Sequence, residues 1–328
     1  MQRDMDDPFL ARKVPMLDPR LFHPDAVDAE TAALNADILA RLTGAPDQWS
    51  APAAVVRENR AKGLGPFPPL PKSPRAKVVT IDGPSGPLHL RVIAPETPRG
   101  VFLHIHGGGW MLGAADEQDP FLEFFAERLG FAAVSVDYRL APEHPYPAGP
   151  DDCEAAALWL VREGRERFGT ERFIIGGDSA GAHLSVVTML RLRERHGLTP
   201  FAGANLIAGV YDLALTPSVR RWGEEKLILN TRDIFLFVQG FLRREGDMRA
   251  PDVSPIHADL SGLPPALFTI GTRDPLIDDS LFMAGRWAAA GNRSELAVWP
   301  GGCHVFTRFD IGLTREALAR MEGFVASL

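Results

Sequence analysis

Two short stretches of this chain carry residue types and spacings that could do chemistry: His106-Gly107-Gly108-Gly109 and Gly177-Asp178-Ser179-Ala180-Gly181. The second fits the pattern G-x-S-x-G, in which a serine sits on a tight turn between a strand and a helix and presents its hydroxyl as a nucleophile. In the first, three successive glycines let the backbone turn its N–H groups toward a substrate without side-chain obstruction. Such N–H groups can hold the negative charge that nucleophilic attack places on a carbonyl oxygen. An attacking oxygen paired with a place for an oxyanion implies acyl transfer, most simply ester hydrolysis. With 12 Ser and 31 Gly in 328 residues, chance placement gives about 0.1 copies of G-x-S-x-G, and with 9 His under about 0.01 copies of His-Gly-Gly-Gly. The glycine run is therefore the sharper signal. His106 itself is expected to hold this loop, with Gly107, rather than to react.

Serine is a weak nucleophile without a base in hydrogen-bond reach. After Ser179 the chain offers His183, His196, His257 and His304. His183 falls one turn into the expected helix and is read as buried and structural. His196 suits a helix C-terminus, where a positive ring meets the negative end of the dipole. His257 lies in an irregular stretch and is read as structural or solvated. His304 ends Gly301-Gly302-Cys303-His304, read as a flexible loop after the last strand pattern, and is the expected base. Asp274 follows a strand pattern ending at Ile270 and is the expected acid that orients the imidazole. Its rivals Asp278 and Asp279 suit the first turn of the next helix. Cys303 is expected to pack. No cluster has metal-ligand spacing, and Asp116, Glu117 and Asp119 read as a helix N-terminus. No metal and no cofactor is expected.

These residues need elements to position them. Strand patterns occupy 76–81, 88–94, 101–106, 132–137, 173–175, 204–207, 266–270 and 295–299. Helical patterns occupy 119–129, 151–167, 180–195, 279–290 and 314–327. The alternation predicts an α/β fold, with an eight-stranded, mostly parallel sheet flanked by helices and an opening antiparallel hairpin. Each candidate residue falls at the carboxyl end of a strand, where open α/β sheets bind ligands. Residues 1–72 show helical pattern only, and Gly65 to Pro71 breaks regular structure. That divides the chain into an N-terminal helical cap segment (1–72) and a catalytic domain (73–328). A cap insertion is expected at about 212–255, with Ile234, Phe235, Val238, Phe241 and Leu242 on its apolar face.

The net charge of −7 and the lack of a basic stripe with interleaved aromatics argue against a nucleic-acid partner. Two cysteines, Cys153 and Cys303, form no C-x-x-C pair and suit a reducing cytoplasm. Acidic residues at the N-terminus, with no apolar run behind them, do not fit a signal peptide. No run is long enough for stable membrane insertion.

The chain resembles the hormone-sensitive-lipase-like esterases of bacteria, within the α/β-hydrolase fold. The resemblance covers about residues 75–325. It rests on His106-Gly107-Gly108-Gly109-Trp110, on Asp137 to Ala148 (DYRLAPEHPYPA), and on Gly177 to Gly181, Asp274-Pro275-Leu276 and His304-Val305-Phe306. It implies Ser179, Asp274 and His304 as the catalytic triad and the amides of Gly108, Gly109 and Ala180 as the oxyanion hole. It also implies a helical cap, a small-molecule ester as substrate and a homodimer as an expected assembly. Amide hydrolysis by the same residues and a non-catalytic receptor on the same fold are the rival readings. Ala182 departs from the family's usual glycine.

Overall fold

The computed structural model describes residues 17–243 and 247–328; the acidic N-terminal stretch lies outside them. Two helices come first, α1 (Ala29–Gly44) and α2 (Ala53–Ala61). Asp28 caps α1, its carboxylate accepting from the Thr31 N–H at 2.9 Å and the Thr31 hydroxyl at 2.6 Å. The hairpin β1 (Lys77–Gly83) and β2 (Gly86–Ile93) follows. Then come β3 (Gly100–Ile105), α3 (Asp119–Glu127), β4 (Phe131–Val136), α4 (Ala148–Phe168), β5 (Phe173–Asp178), α5 (Ala180–His196) and β6 (Phe201–Ile207). The insertion carries α6 (Pro217–Trp222) and α7 (Thr231–Leu242). The chain closes with β7 (Ala266–Arg273), α8 (Ile277–Ala289), β8 (Ser294–Cys303) and α9 (Gly312–Ala326).

The eight strands form one sheet in the order β1-β2-β4-β3-β5-β6-β7-β8. β1 with β2 and β2 with β4 are antiparallel, and every other pairing is parallel. Every residue of β3, β4 and β5 is buried, as expected of strands covered on both faces. Successive residues of a strand point to opposite faces. Phe102, Ala133 and Ile174 accordingly join α3 and α9 in one apolar cluster, while Leu103, Val134 and Ile175 join α4, α5 and α8 in the other. The fold class read from the sequence is the one observed. No helix among the described residues is long and apolar enough to cross a membrane.

Several strands run further than their side-chain patterns indicate, β7 among them, which continues from Ile270 to Arg273. β5 continues through Gly176 and Gly177 to Asp178, and β8 continues through Gly301 and Gly302 to Cys303. Glycines give no apolar alternation, so the pattern stops before the strand does. The stretch before His304, read as a flexible loop, is thus the end of an edge strand. His106, Ser179, Asp274 and His304 are each the first residue after β3, β5, β7 and β8.

The apolar face of α7 also differs by one residue. Ile234, Phe237, Val238, Phe241 and Leu242 are buried, while Phe235 is 44% exposed. Position 237 falls three after 234 and four before 241, so it shares their face, and 235 lies off it.

A buried arginine ties the insertion to α4 and α5. Arg191, on α5, grips the Asp252 carboxylate with two nitrogens at 2.7 and 2.6 Å and reaches Asp151 of α4 at 2.8 Å. Tyr146 donates its hydroxyl to the same Asp252 at 2.6 Å. The arginine side chain is 2% exposed, but Asp151 and Asp252 keep 35% and 30% of theirs. Removing one partner of a buried ion pair costs about 3–5 kcal/mol, and the exposed acids put this case at the low end. Arg191→Ala is expected to lower unfolding stability by about 3 kcal/mol, as read by urea denaturation. A loss under about 1 kcal/mol would mean that the network behaves as a surface ion pair.

Candidate active site

The turn after β5 places Ser179 at φ 55° and ψ −120°, a backbone region that non-glycine residues rarely enter. Two glycines permit it. A Cβ on either Gly177 or Gly181 would lie 1.9 Å from the Ile105 carbonyl oxygen. The Ser179 N–H donates to Ile207 of β6 at 2.8 Å. The turn is therefore fixed against both neighbouring strands, and strain at Ser179 is held by its surroundings.

Ser179 Oγ lies 3.0 Å from His304 Nε2, and His304 Nδ1 lies 2.9 Å from Asp274 Oδ2. The other carboxylate oxygen of Asp274 accepts the Leu276 N–H at 2.9 Å. With Nδ1–H given to a carboxylate, the Nε2 lone pair faces the serine hydroxyl; this tautomer follows from the pairing. All three side chains are buried. The arrangement can take a proton from the hydroxyl and stabilise the imidazolium that results.

The glycine loop is anchored on both sides. His106 Nδ1 lies 2.8 Å from the Gly107 carbonyl, and its ring stacks on Tyr138 at 4.3 Å between centroids. The Tyr138 hydroxyl donates to the His106 carbonyl at 2.9 Å. Burial lowers the His106 pKa and favours the neutral ring. Gly108 and Gly109 take φ of 121° and 60°. Among the described residues, neither of their N–H groups donates to a backbone carbonyl. Ala180 opens α5, where the first N–H groups have no intrahelical acceptor. These three N–H groups are free to receive an oxyanion.

Asp178 ties this loop to the nucleophile turn, and sequence reasoning passed over it. Its Oδ1 accepts the Gly107 N–H at 3.1 Å and the Gln118 side-chain amide at 2.6 Å. The available signal was a carboxylate inside the elbow motif, next to the serine yet unable to act on it. Phe237 was also missed. A Cβ on Gly109 would meet its ring at 2.3 Å, and Trp49 packs edge-on against that ring at 4.8 Å. The Trp49 indole donates to Asp233 at 2.6 Å.

The other histidines have different partners. His183 Nδ1 accepts from the Trp110 indole at 3.1 Å, and its Nε2 faces the Val253 carbonyl at 2.8 Å. Burial pushes its pKa down to about 4. His196, at the end of α5, meets Glu154 at 2.8 Å. His257 is exposed and stands 3.8 Å from Asp212. Burial, with Asp274 nearby, pushes the Cys303 thiol up to about 12, a packed and protonated group. Asp119 is engaged by Arg91 Nε at 2.6 Å and the Ser73 N–H at 2.6 Å. Among the described residues, no group of three or more His, Cys, Asp or Glu side chains is placed to hold a metal ion.

Asp278 and Asp279 stand in the first turn of α8 and hold the start of the insertion. Asp278 accepts the Ser218 N–H at 2.7 Å. Asp279 accepts from Tyr211 N–H at 2.7 Å, Asp212 N–H at 3.0 Å and the Thr216 hydroxyl at 2.7 Å. Burial outweighs these three donors and raises its pKa from 3.8 to about 7.

Residues 102–308 match the family model for the alpha/beta hydrolase fold. A carboxylesterase of Mycobacterium tuberculosis, NlhH, is 37% identical over 231 residues, which are 69% of this chain and 72% of that one. An acetyl esterase of Salmonella schwarzengrund is 28% identical over 255 residues, 75% of this chain and 78% of the other. Among solved structures, the hyperthermophilic esterase of the archaeon Pyrobaculum calidifontis superposes with a TM-score of 0.80 at 30% identity, over 90% of this chain and 97% of that one. A hormone-sensitive lipase from a metagenome library gives 0.79 at 26% identity, over 92% and 98%.

The Asp279 environment sets a pH dependence. A carboxyl whose folded pKa is raised contributes stability that is complete below its unfolded value, near 3.8, and is lost as pH rises through about 7. Asp279→Asn removes this titration. The wild type is expected to lose stability relative to Asp279→Asn between pH 4 and 7, with a slope of at most about 1.4 kcal/mol per pH unit. Denaturant midpoints across that range provide the measurement. Parallel pH profiles for the two proteins would show that Asp279 is ionised in the fold throughout.

Proposed function

The chain belongs to the hormone-sensitive-lipase-like esterases of the α/β-hydrolase fold and is a carboxylic ester hydrolase; from that premise we propose that Ser179, His304 and Asp274 are its catalytic triad. One observation carries the proposal: the continuous hydrogen-bonded line from Ser179 Oγ through His304 to Asp274, at 3.0 and 2.9 Å. Ser179 Oγ attacks the ester carbonyl carbon while His304 Nε2 takes the hydroxyl proton. Asp274 holds the ring and stabilises its positive form. The charge on the carbonyl oxygen falls to the N–H groups of Gly108, Gly109 and Ala180, and each such donor is worth roughly 3–4 kcal/mol. Collapse of the tetrahedral intermediate expels the alcohol, which His304 protonates. Water then attacks the acyl-enzyme by the same route, with His304 as base.

The preferred acyl groups are short to medium, about two to eight carbons, because aromatic side chains packed over the glycine loop limit the room for a ligand. Support comes from the aromatic packing over the glycine loop. Phe237 lies on Gly109, and Trp110 stacks on Phe241 at 4.6 Å. The acetyl esterase among the relatives is consistent with small acyl groups.

Ser179→Ala is expected to keep the fold and lose at least about 10⁴-fold in kcat. A serine-directed phosphonate is expected to leave its adduct on Ser179, as located by mass spectrometry. Substantial turnover by the folded variant, or labelling elsewhere, would remove Ser179 from the mechanism.

Phe237→Ala is expected to move the kcat/KM optimum toward longer acyl chains, with acetate esters still turned over. The measurement is a profile of kcat/KM against acyl length. An equal loss at every length would make Phe237 a support of the glycine loop rather than a limit on the acyl group.

A further inference from the structure

A cavity of about 440 Å3 opens at the start of the insertion, and Ser179, Asp274 and His304 are not among the residues that line it. Its wall includes Asp212, Ala214 and Leu215 and three arginines, Arg220, Arg221 and Arg249. The arginines come from separate places: two from α6 and one from beyond α7. Arg220 is held in place, its Nε donating to the Leu215 carbonyl at 2.8 Å and its Nη2 to the Ala214 carbonyl at 2.6 Å. Among the described residues, the guanidinium groups of Arg221 and Arg249, both on exposed side chains, make no hydrogen bond or ion pair. Asp212 is the one acid in the wall. Its Oδ1 accepts the Ala214 N–H at 2.9 Å and stands 3.8 Å from His257 Nε2, so it is turned toward its own loop and His257.

Three guanidinium groups around one cavity repel one another, and a single acid does not balance them. The whole chain carries a net charge of −7, so this is a local reversal of sign. Cavities lined by one sign of charge concentrate the opposite ion. Guanidinium groups also match carboxylate and phosphate oxygens with paired N–H donors. We propose that this cavity binds a small carboxylate- or phosphate-bearing molecule, with Arg221 and Arg249, unpaired among the described residues, as donors beside the fixed Arg220. Asp212 of the wall stands on the loop after β6, its N–H held by Asp279 beside that of Tyr211. The anion is either a free ligand or the charged end of an ester substrate, and the two sources are separated by experiment. The binding claim stands apart from the triad and is tested without turnover.

Calorimetric titration of the full chain with inorganic phosphate and with succinate is expected to give saturable binding of at least one of them. Arg221→Gln and Arg249→Gln are each expected to weaken it by at least about tenfold, and the double variant to abolish it. Thermal melting of the unliganded variants checks that they fold. Arg232→Gln serves as a control, because Arg232 pairs with Asp47 and lies outside the cavity; it is expected to leave the affinity unchanged. A second arm compares the monoethyl ester of succinate with ethyl butyrate. A lower KM for the charged ester that disappears in the double variant assigns the anion to the substrate. Binding with no such discrimination assigns it to a free ligand. Absence of binding by either probe at millimolar concentration, or binding that survives the double substitution, overturns the proposal.

Discussion

The Ile105 carbonyl, pressed against two glycines, is the contact on which the site depends. Gly177 and Gly181 flank Ser179, and neither position has room for a methyl group against that oxygen. β3 ends at this carbonyl and runs directly into His106-Gly107-Gly108-Gly109. The close approach therefore fixes the Ser179 turn relative to the glycine loop through backbone alone. Backbone contact of this kind is stiffer than a side-chain bridge, because it has no rotamers to lose. Asp178 adds a second tie by accepting the Gly107 N–H. Site geometry must hold to within a fraction of an ångström for an oxyanion to be met by its donors.

The same device recurs at the other end of the sheet. A Cβ on Gly271 of β7 would stand 1.9 Å from the Gly302 carbonyl of β8, and the register between these strands shifts between Gly271 and Arg273. Both strands then end, with Asp274 and His304 as the next residues. Glycine pairs thus set both halves of the Ser179–His304–Asp274 line. One pair holds β3 to the serine turn, and the other brings the acid-bearing strand against the histidine-bearing one. α1 steadies the second pair, since the Asn35 side chain donates to the Gly301 carbonyl at 2.8 Å.

This reliance on glycine explains what was legible in the sequence and what was not. The motifs around Ser179 and His106 were visible because glycines cluster in fixed spacing there. The strands were visible wherever apolar side chains ran on, as in Val101 to Ile105. Their ends were not, because Gly176, Gly177, Gly301 and Gly302 carry no alternation to read. Asp178 was hidden for another reason: its partners, Gly107 and Gln118, are distant in the chain. Phe235 and Phe237 are indistinguishable by composition. Their difference lies in helical spacing, since 237 shares a face with 234, 238 and 241 and 235 does not, a signal the sequence held; what it did not hold is that this face meets Trp49 and Gly109. Asp279 looked like a carboxylate at the positive end of a helix, and it does occupy the first turn of α8. Its three hydrogen bonds to the loop after β6 appear only once the fold brings that loop to it.

Helices α1, α2 and α7 carry none of Ser179, Asp274 and His304, yet they bear on the site. Phe237 of α7 packs on Gly109, and Trp49, from the segment between α1 and α2, packs on Phe237. Arg57 of α2 donates to the Met111 carbonyl at 2.7 Å and to Glu143 at 2.7 Å. Both segments therefore bear on the glycine loop, from which the proposed mechanism draws its oxyanion donors. A loop of three glycines has much conformational freedom to lose. The contacts from Phe237 and Arg57 restrict it before substrate arrives, and donors fixed in advance need no reorganisation when charge develops. On the proposed mechanism, side chains of α2 and α7 order the loop that carries the oxyanion donors. Changes in the cap can therefore reach kcat as well as substrate selection.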